Sequence, residues 1–121
     1  MKNSLSIKKI LAVFILLAGV LFSFAAFASE PEIVLFCTSW NMKCRDAKKV
    51  CSAIAMEQGI KFTELDVDRP NAEQQAMDLG LSVPTSIPFA YYILDHKGSI
   101  VGAKPYTGES AQDFRKKIMR Y

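Results

Sequence analysis

The chain has 121 residues, 15 Lys and Arg against 12 Asp and Glu, and half of its residues are apolar. Three of the basic residues, Lys2, Lys8 and Lys9, and none of the acids precede Ser29, so the remainder is balanced at twelve of each sign. A neutral domain without a basic cluster lacks the electrostatic footprint of a nucleic-acid partner, and the length suits one domain and excludes two.

The first segment reads as an export leader. Its lysines supply a positive start, Ile10 to Phe24 is an uncharged apolar run, and Ala26-Phe27-Ala28 places small residues where a signal peptidase reads. Cleavage is expected between Ala28 and Ser29, leaving residues 29–121 as the mature domain in an extracytoplasmic compartment, periplasmic or secreted. The alternative is an uncleaved membrane anchor over residues 10–28, since a span takes roughly 17 to 25 residues. Any membrane association is expected only through this segment.

Glu32 to Cys37 is a short apolar run that suits a strand buried on both faces. From Met42 to Gln58, Cys44, Ala47, Cys51, Ile54 and Ala55 recur at helical spacing, and Gly59 ends that helix. Ile60 to Val67 alternates as a second strand, and the intervening helix makes the two strands parallel in the simplest arrangement. Asp68-Arg69-Pro70-Asn71 forms a turn in which Asp68 or Asn71 caps a helix ending at Gly80. Phe89 to Leu94 is a strand, Asp95 to Gly98 a hairpin turn with His96 in solvent, and Ser99 to Ala103 the partner strand. Lys104 to Gly108 reads as loop, after which Ser110 caps a last helix with Asp113 three residues on. The order is β-α-β-α-β-β-α.

That order, together with particular residues, resembles the thioredoxin family across nearly the whole mature chain. The family's first strand leads into Trp-Cys-x-x-Cys at the start of a helix. Here the run is Phe36-Cys37-Thr38-Ser39-Trp40-Asn41-Met42-Lys43-Cys44, in which Trp40 and Cys44 match and Asn41 stands where the first, nucleophilic cysteine belongs. Asp66-Val67-Asp68 is similar to the family's ending of the next strand, and Gly98 and Gly108 fall where it tends to place glycine. Ile87-Pro88 looks like the family's Ile-Pro, whose proline is cis and faces the active-site cysteines. Pro84 competes for that role, but Pro88 has the better distance to the hairpin glycine. The buried acid of the first strand is absent, with Leu35 near its place. Glu64 is either its replacement or simply exposed.

The resemblance implies an α/β thioredoxin-like fold, a central mixed sheet flanked by helices. It also implies thiol–disulfide exchange with protein thiols or disulfides as partners. Cys44 at a helix start favours a thiolate and is the expected reactive thiol. Cys44 and Cys51 lie about 10 Å apart along one helix, too far to bond, so Cys37 is the one intrachain candidate for a bridge to Cys44 and the possible resolving thiol. Cys51 falls on the apolar seam as a core residue. Trp40, Ile87 and Pro88 are expected to form a groove for an extended polypeptide segment. The equal seven-residue steps between the cysteines match no metal spacing, and no metal or cofactor is assigned. The rival reading is a non-catalytic thioredoxin-fold binding module that keeps the groove and has lost the chemistry with the first cysteine.

Overall fold

The structure, a computed structural model, describes residues 30–119. The expected leader or anchor lies outside the described residues. Among the described residues no helix is long and apolar enough to cross a membrane.

Strand β1 (Glu32–Cys37) is buried at every position, as the apolar run after Glu32 requires. It is central in a four-stranded sheet of order β2-β1-β3-β4. Strand β2 (Lys61–Asp66) lies parallel to it, and β3 (Phe89–Ile93) runs antiparallel on its other side with Phe36 opposite Phe89. Strand β4 (Ile100–Pro105) pairs antiparallel with β3 across an irregularity at Tyr92 and Ile93. It starts one residue later and runs two residues further than the expected Ser99 to Ala103. The added residues, Lys104 and Pro105, pair with Ala90 and Phe89, so ladder register extends a stretch whose composition suggests a loop.

Helix α1 (Met42–Gln58) has Asn41 as its N-cap, whose side-chain oxygen accepts from the Lys43 N–H. Gly59, in the left-handed region at φ 66°, closes it by donating to the carbonyls of Ala55 and Met56. Helix α2 (Ala72–Asp78) is a short piece followed by Leu79 and Gly80. Asn71 occupies its cap position without a side-chain cap bond, and Asp68 is engaged elsewhere. Ser110 caps α3 (Ala111–Ile118) by accepting from the Asp113 N–H, as expected.

Alternation along β1 divides the core into two layers. Ile33, Leu35 and Cys37 face α1 and α3, meeting Cys51, Ile54, Phe114 and Ile118. Val34 and Phe36 face α2, meeting Leu65, Ala72, Ala76 and Leu81. Each fully buried aliphatic or aromatic side chain contributes roughly 1.5 to 3 kcal/mol, so the sheet sandwiched between helix layers is what holds the fold. The α3 layer depends on Gly102, because a Cβ there would stand 1.9 Å from the Ile118 carbonyl oxygen.

At the outer end of β1 a carboxylate is sealed in. Glu32 is 1% exposed, accepts from Thr63 Oγ1 at 2.7 Å, and is paired with His96 Nε2. His96 is therefore a partner of a buried acid and not a free solvated side chain. Hydrogen-bond demand explains the correction, since a buried carboxylate left alone is costly. Leu35 is fully buried, and Glu64 beside it is exposed and pairs with Lys48 at 3.1 Å.

Candidate redox site

The two ends that converge at the other pole of β1 are a strand terminus and a helix start. Cys37 is the last residue of β1, held there because its carbonyl accepts from Val67 N–H at 3.0 Å. Cys44 is in the first turn of α1, its N–H bonded to the Asn41 carbonyl at 3.1 Å. The intervening loop folds back so that the two Cα atoms are 5.6 Å apart and the sulfurs form a disulfide. That spacing is within the usual range for a bridge. Cys51, about two turns along the same helix, is free and buried, and burial pushes its thiol up to about 12.

Both bridged sulfurs are nearly sealed, Cys37 at 1% and Cys44 at 5% exposure. Thr38 lies directly after Cys37 and donates its backbone N–H to Cys44 Sγ at 3.4 Å. The other sulfur faces an acceptor, with Cys37 Sγ 4.0 Å from the Cys44 carbonyl oxygen. Asn41 sits where a more exposed cysteine was expected from the resemblance, and its capping bond gives that position a structural duty.

The other expected site residues surround the bridge unequally. The Ile87-Pro88 peptide bond is cis, as expected for Pro88 over Pro84. Phe89 pairs with Phe36, so Pro88 comes next to Cys37 along the same ladder, and its carbonyl accepts from Tyr106 N–H at 2.9 Å. Ile87 packs half-buried against the α2-side core. Trp40 is 70% exposed on the loop before α1, where its indole N–H donates to Asp68 Oδ2 at 2.7 Å. Met42 beside it is also exposed, and so are the flanking cations Lys43 and Arg45.

Reading the sequence alone misses Thr38 and Asp68. Thr38 carries a usable signal, being the polar residue where an apolar strand has just ended between two cysteines. Asp68 carries none, because its bond to Trp40 spans 28 residues and follows from register.

This sheet order, the cis proline at a strand start and a helix whose first turn carries a bridged cysteine together define a thioredoxin-like fold. No protein family model matches the chain, and no curated protein matches it. Among solved structures it is similar to thioredoxin O2 from Arabidopsis thaliana in the oxidized state, at 16% identity and TM-score 0.52 over 81% of this chain and 83% of that one. Thioredoxin O1 from the same plant, also oxidized, gives 19% identity and TM-score 0.50 over 75% and 79%. A chain from a structure of the thiol resolving mechanism in yeast mitochondrial 1-Cys peroxiredoxin via glutathione/thioredoxin systems gives 14% identity and TM-score 0.53 over 84% and 89%. At these identities the likeness is one of fold.

Proposed function

We propose that the protein is an exported thioredoxin-fold protein of thiol–disulfide exchange in the cell envelope, cycling the Cys37–Cys44 bridge against protein thiols and disulfides. The observation that carries this reading is the bridge itself, which joins a strand end to a helix first turn beside the cis Ile87-Pro88 bond. In the reduced form Cys44 Sγ is the attacking thiolate, favoured by the positive end of α1 and by Lys43 and Arg45. Its attack on a substrate disulfide forms a mixed disulfide and releases one substrate thiolate. Cys37 then attacks Cys44 Sγ, closing the bridge and releasing the second substrate thiolate. Two electrons pass to the substrate in this direction, and the reverse sequence oxidises a dithiol. Trp40, Ile87 and Pro88 border the slot in which an extended substrate segment lies. The leader sequence supports a place outside the cytoplasm, with Ser29 as the mature N-terminus.

The test is catalysed disulfide reduction by the full chain, by Cys44→Ser and by Cys37→Ser. Wild type should exceed the same concentration of a small dithiol, Cys44→Ser should be inactive, and Cys37→Ser should accumulate a trapped mixed disulfide. An inactive wild type, or full activity in Cys44→Ser, ends the catalytic reading. The second reading, a non-catalytic module binding extended polypeptides, is favoured by the burial of both sulfurs beside the exposed Trp40. It predicts peptide binding that Trp40→Ala abolishes and Cys44→Ser leaves intact.

A further inference from the structure

Thr38 is the residue of the site whose chemistry is incomplete. It is 4% exposed, and its Oγ1 is, among the described residues, the buried side-chain oxygen with no hydrogen-bond partner. Leaving a buried hydroxyl unpaired costs on the order of 1 to 3 kcal/mol, so such an atom calls for a partner absent from the state observed. The state observed is the oxidised one. A bridged sulfur is a poor acceptor, whereas a thiolate accepts strongly, and charge-assisted bonds are roughly twice as strong as neutral ones.

The surroundings of the two sulfurs differ in sign. Cys44 Sγ receives the Thr38 N–H at 3.4 Å and belongs to the first turn of α1, at the positive end of the helix dipole. Cys37 Sγ faces the carbonyl oxygen of Cys44 at 4.0 Å, a place suited to a protonated thiol. The Thr38 hydroxyl is joined through Cα and Cβ to the same residue whose N–H touches Cys44 Sγ.

We infer that Thr38 is a positioning residue for the redox couple: its hydroxyl, unpartnered beside the bridge, donates to Cys44 Sγ once the bridge is reduced, holding the charge on Cys44 and the proton on Cys37. This rests on the exchange reading above and deepens it. A dithiol reductant supplies two electrons and two protons and leaves as its disulfide. The Cys37–Cys44 bond breaks, one proton stays on Cys37 Sγ directed at the Cys44 carbonyl, and the other goes to solvent as Cys44 becomes the thiolate. By favouring the reduced form, Thr38 makes the protein a stronger oxidant than its bridge alone would be.

The experiment compares wild type, Thr38→Val and Thr38→Ser, each as the full chain. One readout is the equilibrium with a glutathione redox buffer, and the other is the pKa of the thiolate followed by its ultraviolet absorbance. Thr38→Val keeps the shape and removes the hydroxyl. It should disfavour reduction about tenfold, a shift of about 30 mV toward more negative potential. It should also raise the lower thiol pKa by about one unit. Thr38→Ser should stay near wild type in both. Unchanged values in Thr38→Val, or an equal shift in Thr38→Ser, overturn the role given to the hydroxyl while the exchange reading stands. A wild-type bridge that native-state dithiothreitol never reduces overturns both. Should Thr38→Val fail to fold, Thr38→Ala carries the same comparison.

Discussion

Cys51 shows what burial alone does to a thiol. It is fully enclosed beneath the sheet, and desolvation of the charged form lifts its pKa from 9.0 to about 12. The folded chain thus keeps a proton that the unfolded chain gives up between about pH 9 and 12. Folded binds more protons than unfolded in that window, so stability is whole below it and declines as pH rises through it. Tyr106 acts in the same direction, raised first by its own burial and then by the nearby charges of Asp46, Glu109 and Cys51. Denaturant midpoints should fall steadily across this alkaline range, and Cys51→Ala should flatten part of that slope whatever it does to the starting value. Equal slopes in both proteins would contradict the burial. The same enclosure keeps Cys51 from competing with Cys44 in exchange. Glu32 is a buried carboxyl with hydrogen-bond partners on both sides, Thr63 and His96, so removing either leaves it short of one partner.

At the level of elements, α3 lies so close over β4 that only hydrogen fits at Gly102. Gly102→Ala should push the end of α3 away from the sheet and destabilise the protein by about 1 to 3 kcal/mol, the usual range for overpacking, read as a lower urea midpoint. A variant as stable as wild type would mean that the helix does not rest there. This approach is invisible in the sequence, where Gly102 is one small residue in a weak strand pattern. Much else was legible, because it is local. The apolar run of β1, the seam of α1 with Gly59 behind it, and Ser110 with Asp113 each announce an element through residues a few positions apart. The parallel pairing of β1 with β2 followed from the helix between them. The candidate bridge was legible in part, since helix geometry removed Cys51 and left Cys37 as the partner of Cys44. The choice of Pro88 as the cis residue came from family resemblance. What stayed hidden is set by register between distant segments: Glu32 with His96, Trp40 with Asp68, and the two added residues of β4. The depth of the bridge was hidden too, because exposure is decided by everything packed around a residue and not by its neighbours in sequence.

Across the whole molecule, β1 connects two unlike poles. One is closed by the Glu32 carboxylate and its two partners, the other by a covalent link across a sequence separation of seven. In the chain-entropy description a loop of that size stabilises the folded form by about 2.5 kcal/mol by restricting the unfolded chain, so reduction lowers the stability of the whole domain by about that amount. Because the link lies beneath the surface, its cleavage inherits a kinetic gate. A thiolate must approach in line with the sulfur–sulfur axis, and at 1% and 5% exposure neither end of that axis is open to it. The packing around the bridge has to open first. Reduction by rising dithiothreitol should therefore bend toward a ceiling set by how often the site opens, whereas strict proportionality would mean no gate exists. A docking partner that holds the site open would escape that ceiling, and selectivity among reductants would then come from recognition of the protein surface and not from the strength of the reductant.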